Sequence, residues 1–345
     1  MSVYEIDPIY DPRWPEFLQR NPRASVFHTA GWLNALKRTH GYDVLAYTTS
    51  PPRAELDNGW VFCRIRSWLT GRRLVSLPFS DHCDPLVEKP EHLQEVSRVL
   101  RWERDEHRWK YVEYRPLSSD SVINGFGSSE TFCFHKLELQ PDLDRLFRGL
   151  HRDSIQRKIK RAEREGLTCE EGCSELLLDQ FYHLLVMTRR RHQLPPQPRK
   201  WFSNLISCMG EQLKIRVAFF QGVPTASILT LRFKNTLMYK YGCADERFFR
   251  LGGMQMLLWR AIKEAKESGL REFDLGRSDS DNQGLIVFKD RFGAERTALR
   301  YFRYPVGQQD VASATRPAGR GNRLYSYLPG GLFAKAGKLL YRHFG

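Results

Sequence analysis

The runs LKIRVAFF (213–220), ASILTLRF (226–233) and TLMYKYGC (236–243) are rich in β-branched and aromatic residues and lie close together in the chain. Gln221-Gly222-Val223-Pro224 parts the first two and Lys234-Asn235 the second two, a spacing that predicts an antiparallel meander. The period then changes. Met254, Leu257, Leu258, Ala261, Ile262 and Ala265 fall at i, i+3, i+4, i+7, i+8 and i+11, the apolar stripe of a helix over 252–268, and Gly269 stands where a C-terminal cap belongs. Residues 272–276 read as a short strand. A helix between two strands usually makes a parallel crossover, so 236–243 and 272–276 are expected to pair in parallel. The loop 244–251 then aims the helix N-terminus at the C-terminal ends of those strands, where its exposed N–H groups form a ready anion site.

The closing stretch carries two motifs, Phe273-Asp274-Leu275-Gly276 and Gly284-Leu285-Ile286-Val287-Phe288-Lys289-Asp290-Arg291-Phe292-Gly293. Together with the element order, they resemble the "D-x-G … F-K-x-x-F-G" ending of the FemABX aminoacyltransferases, whose two domains are GNAT-like. The resemblance extends over roughly 150–305. It implies an α+β fold of two tandem GNAT-like domains, with mixed, mostly antiparallel sheets and helices on both faces. It also implies a transferase that moves an aminoacyl group from tRNA to an amine of a peptidoglycan precursor.

The length of 345 residues exceeds one usual core, so two domains are expected: 1–145 and 146–305, followed by a basic linker and amphipathic tail over 306–345. The N-terminal half repeats the plan: strands at 42–48, 60–66 and 73–79, a helix at 91–107 and strands at 110–115 and 132–139. A helix over 30–40 capped by Thr29 precedes them, with Leu33 and Leu36 turned inward. This order suggests internal duplication. The first residues have neither a basic nor an apolar leader region, which points to the cytoplasm. Seven cysteines form no framework, and Cys169 and Cys173 lack a matching Cys/His pair, so no metal is expected. The net charge of +14 implies an anionic partner: nucleic acid, a phosphorylated metabolite or an acidic membrane face.

That charge is concentrated. On the helix 151–165, with Ser154 as its cap, Ile155, Ile159 and Ala162 form an apolar seam surrounded by Arg152, Arg157, Lys158, Lys160, Arg161 and Arg164. This segment resembles the basic helix that opens the second FemABX domain, and it nominates Arg157, Lys160 and Arg161 for substrate phosphates. The segment 188–200, after a helix over 176–187, reads as a Pro-rich basic lid. In the N-terminal half, Asp81, His82 and Asp84 follow a strand, as a polar pocket wall or a hydrogen-bonded loop.

Acyl transfer to an amine needs alignment, a deprotonated amine and oxyanion stabilisation, but no enzyme nucleophile. The sequence has no Gly-x-Ser-x-Gly elbow, which fits direct attack. Alternation puts Tyr239 and Tyr241 on one strand face, as cleft lining or as sheet packing. Asp274 sits at the end of the parallel strand. By resemblance, Phe288 packs against the tRNA end and Lys289 stabilises the reacting carbonyl, with 285–292 as a helix. Arg250 opens Arg250-Leu251-Gly252-Gly253-Met254-Gln255, which matches the first part of the GNAT pyrophosphate pattern "R/Q-x-x-G-x-G/A" but ends in Gln255. The bulkier residue weakens the case for CoA.

No permanent cofactor is expected. The donor is aminoacyl-tRNA or acyl-CoA and the acceptor a nucleotide- or lipid-linked amine. A CoA-dependent N-acyltransferase on a small amine and a non-catalytic RNA- or membrane-binding protein remain as alternatives. The tail segment 331–344 has Leu332, Phe333, Ala336, Leu339, Leu340 and Phe344 on one side and Lys335, Lys338, Arg342 and His343 on the other. It suits an anionic membrane surface or its own domain equally.

Overall fold

A computed structural model describes residues 2–118, 123–305 and 340–343. These form two compact units, one of residues 2–132 with 298–305 and 340–343, the other of residues 133–297.

The first unit contains β1 (Tyr4–Ile6), α1 (Trp14–Arg20), α2 (Ala30–His40), β2 (Asp43–Thr48), β3 (Trp60–Ser67), β4 (Gly71–Ser76), α3 (Pro90–Glu106) and β5 (Tyr111–Tyr114). Thr29 caps α2 as expected, accepting from the Trp32 N–H, and Leu33 and Leu36 are fully buried. Strands β2, β3 and β4 form an antiparallel meander. Helix α3, whose Val96 and Leu100 are buried, then carries the chain to β5, parallel to β4. The strand expected over 73–79 begins and ends earlier, so Phe79-Ser80-Asp81 belongs to the following loop.

Next come β6 (Gly127–Glu138), α4 (Leu143–Gly149), α5 (Arg157–Arg164), β7 (Thr168–Gly172), α6 (Glu175–Arg191), α7 (Arg199–Met209), β8 (Leu213–Phe220), β9 (Val223–Phe233), β10 (Thr236–Ala244), α8 (Gly253–Glu267), β11 (Glu272–Asp279), α9 (Gln283–Asp290) and β12 (Glu295–Tyr304). In the second unit β8, β9 and β10 are the antiparallel meander and α8 is the crossover. β11 pairs parallel with β10 at Thr236–Glu272, Leu237–Phe273 and Met238–Asp274. Both units therefore follow the same order: meander, helix, parallel strand. Leu257, Leu258, Ala261, Ile262 and Ala265 of α8 are buried as the stripe predicts, together with Ile159 and Ala162 of α5.

Two local expectations need correction. The basic helix is capped by His151 rather than Ser154: His151 Nδ1 accepts from the Ser154 N–H at 3.3 Å. The segment 188–200 is not one long loop. Helix α6 runs on to Arg191, and Pro198 is the N-cap of α7, where Trp201, Phe202, Leu205 and Met209 are buried.

Of the tail, residues 331–339 and Phe344 lie outside the described residues. The docked part is helical, and it is His343, assigned to the polar side, that is buried. The Ser67 hydroxyl meets His343 Nδ1 at 2.9 Å, and Thr70 Oγ1 donates to the His343 carbonyl at 2.8 Å.

Candidate active site

β10 and β11 share a ladder only as far as Met238 and Asp274, although β10 runs to Ala244 and β11 to Asp279. Between Tyr239 and Tyr241 the register of β10 against β9 slips, Tyr239 facing Thr230 and Tyr241 facing Leu229. Lys240 is the extra residue of a β-bulge. Past it, the edge of β10 that faces β11 is released from the ladder.

A cavity of about 310 Å³ lies at this end of β10. Gly242, Cys243 and Ala244 line it from the strand, and Gly253, Met254 and Gln255 from the start of α8. Thr188, Arg191 and His192 close it from the end of α6, and Lys158, Phe249 and Phe288 from three other segments. The first N–H groups of a helix have no intrahelical acceptor and carry its positive pole, so the α8 end of the cavity favours negative charge. Thr188 ties the α6 end to the strand: its hydroxyl donates to the Ala244 carbonyl at 3.2 Å and accepts from the Ala244 N–H at 3.0 Å. Arg191 donates to the same carbonyl at 3.3 Å and lies 4.8 Å over the Phe249 ring. His192 is exposed at the rim, but partial desolvation, and then the positive charges of Arg191 and Arg189, hold its imidazole below its ordinary pKa. It is therefore neutral and able to accept a proton at pH 7.

A second cleft of about 300 Å³ shares Lys158 and Phe249 with the cavity and adds Asp153, Arg157, Arg161 and Arg250. Arg157 is paired with Asp153 at 2.8 Å, while Lys158 donates to the Phe249 carbonyl at 3.3 Å. Gly252 lets α5 come this close. Its φ is +82°, and a Cβ there would overlap the Lys158 carbonyl oxygen. Gly252→Ala is expected to cost about 1–3 kcal/mol from the backbone conformation alone, to push α5 away from α8 and to weaken donor binding. A lowered urea midpoint together with weaker donor binding checks this.

The structure gathers some of the residues nominated from sequence and disperses others. Phe288 lines the cavity, and Arg157, Arg161 and Arg250 line the adjoining cleft. Lys160 points elsewhere, its ammonium 5.9 Å from the Phe147 ring. Tyr239 and Tyr241 do not share a face, because the bulge inverts the alternation. Tyr239 packs on the core beneath α8, whereas Tyr241 accepts from Trp201 Nε1–H at 3.0 Å against α7.

Lys289 and Asp274 are buried and do not line the cavity. Lys289 Nζ donates to the carbonyls of Gly276 (3.0 Å) and Arg277 (2.9 Å), and Asp274 Oδ1 accepts from the Gly276 N–H at 2.6 Å. The two charged residues brace one glycine, which has φ +71°. In the first unit, Asp84 Oδ1 accepts from the N–H groups of Leu117 (3.1 Å) and Ser118 (3.4 Å), and the Asp81 carbonyl accepts from Tyr301 at 2.6 Å. His82 stands 3.9 Å from Asp84, both buried, so this stretch is a hydrogen-bonded loop holding its neighbours.

Sequence reading passed over His192, Thr188 and Gln255 as site residues. The segment 188–200 reads from sequence as a Pro-rich basic lid or binding loop, and only the continuation of α6 to Arg191 places the imidazole at the cavity.

Comparison with known proteins bears on the fold and the family similarity. Residues 150–289 match the acetyltransferase (GNAT) domain family. A UDP-N-acetylmuramoylpentapeptide-lysine N(6)-alanyltransferase of Weissella viridescens is 23% identical over 317 residues, spanning 83% of this chain and 90% of that protein. The crystal structure of FemX superposes with a TM-score of 0.68 at 13% identity, over 91% of this chain and 99% of that one. A tandem GNAT protein from the clavulanic acid biosynthesis pathway gives 0.53 at 9% identity, over 88% and 97%. Residues 150–289 thus match a GNAT domain model, and the chain as a whole is similar in sequence to that alanyltransferase and in fold to FemX.

Proposed function

We propose that the protein passes an aminoacyl group from aminoacyl-tRNA to an amine of a peptidoglycan precursor, by direct attack of that amine on the donor carbonyl. The observation that carries this reading is the cavity at the released end of β10, which joins the α8 N-terminus to a cleft of arginines. The relative from Weissella acts on a lysine N6 in a peptidoglycan precursor, which supplies the acceptor class.

In this scheme the donor's phosphates sit along Arg157, Lys158, Arg161 and Arg250, and its reacting end enters the cavity beside Phe288. N–H groups at the start of α8 and on the freed edge of β10 stabilise the carbonyl oxygen as charge develops on it. His192 takes the proton from the attacking nitrogen. The C–N bond forms, the ester C–O bond breaks, and the proton passes to the departing hydroxyl. Gln255, buried at the third helical position of α8, occupies the place of a small residue in the CoA-binding pattern and favours tRNA as donor.

Neutralising Arg157, Arg161 and Arg250 together is expected to weaken tRNA binding. It is also expected to flatten the log–log salt dependence by about 0.7–0.9 for each phosphate no longer neutralised. Lys160→Gln, whose ammonium lies over Phe147, should leave the slope unchanged. Binding isotherms at several salt concentrations, with aminoacyl-tRNA and acyl-CoA in parallel, check both. Tight acyl-CoA binding with no tRNA affinity favours the CoA-dependent reading, for which the GNAT family match speaks.

A further inference from the structure

The tip of the β3–β4 hairpin is Ser67-Trp68-Leu69-Thr70-Gly71. Trp68 is 87% exposed and Leu69 48%, two large apolar side chains side by side in water. The tip is well braced: Ser67 Oγ accepts from the N–H groups of Leu69 (3.2 Å) and Thr70 (2.9 Å). Thr70 and Arg73 both donate to the His343 carbonyl, at 2.8 and 2.6 Å. The exposure of Trp68 and Leu69 is therefore imposed by a fixed backbone.

Positive charge surrounds this tip. Arg66 and Arg72 are directly opposite each other across the hairpin, both exposed. Like charges in that position are destabilising on their own. Lys110 passes beside Gly71, and Arg342 is exposed on the docked C-terminal segment. None of these four has a carboxylate partner among the described residues. On the neighbouring strand and helix, Asp43 and Glu103 pair with Arg64, and Asp105 pairs with Arg104.

We propose that this hairpin tip is a docking surface for an anionic lipid bilayer. Trp68 and Leu69 enter the interfacial layer, and Arg66, Arg72, Lys110 and Arg342 meet the headgroups. Tryptophan favours the depth where lipid tails meet headgroups. The long basic side chains can lie along the apolar surface with their charges in the headgroup layer. A nucleic acid also satisfies the cations, but it offers no place for the aliphatic Leu69 next to the ring. The proposal stands apart from the acyl-transfer reading, since none of these residues belongs to the cavity.

The test is sedimentation of the full-length protein with vesicles of phosphatidylcholine alone or of phosphatidylcholine with phosphatidylglycerol. Binding to the anionic vesicles alone is expected. Trp68→Ser/Leu69→Ser should weaken it about tenfold or more, with an unchanged melting midpoint because both side chains are exposed. Should that variant not fold, Arg66→Gln/Arg72→Gln carries the same test, with about fivefold loss per charge. Failure of the wild-type protein to sediment with anionic vesicles overturns the proposal, as does wild-type vesicle binding by folded forms of both variants. Loss of tRNA affinity in the Trp68/Leu69 variant, with vesicle binding absent throughout, assigns the tip to nucleic acid instead.

Discussion

Lys289→Met is expected to destabilise the second unit as well as reduce its activity. The resemblance that drew attention to Lys289 casts it as an electrostatic catalyst, but its ammonium is buried and bonded to the Gly276 and Arg277 carbonyls. Methionine keeps the volume and removes the donor. Each buried carbonyl left without a partner costs about 1–3 kcal/mol. The loss should appear as a lower urea midpoint and as easier amide exchange around β11 and α9. Turnover should fall because α9, which carries Phe288 to the cavity, loses its tie to Gly276. A mutant with unchanged stability and strongly reduced kcat would return Lys289 to the chemistry and imply that the brace opens when substrate binds.

His192→Ala should reduce kcat by about 10²–10⁴, the usual contribution of a positioned general base, with little change in melting midpoint. The pH dependence gives a separate check. The base acts in its neutral form, so the rate rises as pH passes upward through its pKa and then levels. Partial desolvation and the neighbouring arginines lower that pKa, so the acid limb belongs below the ordinary histidine value. In His192→Ala the limb disappears with the activity. If full activity and the same limb persist, the proton leaves by another route and His192 is only part of the wall.

The fold was largely legible because its signals are local. The meander, the α8 stripe and the crossover follow from side-chain period and short connections, and α8 begins and ends within a residue of where the stripe puts it. Helix α7 was hidden by Pro195, Pro196 and Pro198, which read as loop, although a proline just before a helix costs nothing. The cavity was less legible. Lys158, Thr188, Gly242, Gln255 and Phe288 are distant in sequence and meet only through packing. Charge and motif singled out Arg157, Arg161, Arg250 and Phe288, which do line it or its neighbouring cleft. The same signals singled out Lys289 and Asp274, because sequence records a charge but not its burial.

The bulge at Lys240 acts as a phase shift in a two-residue period. Every position of β10 beyond it belongs to the face that simple counting assigns to its neighbour. This brings Gly242 onto the Tyr239 side, where a Cβ would overlap the Tyr239 hydroxyl. Insertion and glycine thus form one device, since the shift delivers to that spot a residue with no side chain to clash. Deleting Lys240 would remove only the unpaired residue and keep Tyr241 opposite Leu229 and Gly242 opposite Ile228, whereas any side chain placed at Gly242 would meet the Tyr239 ring in the same space. One added methyl group there would crowd the wall of the cavity from within, while leaving every other residue that lines it in place.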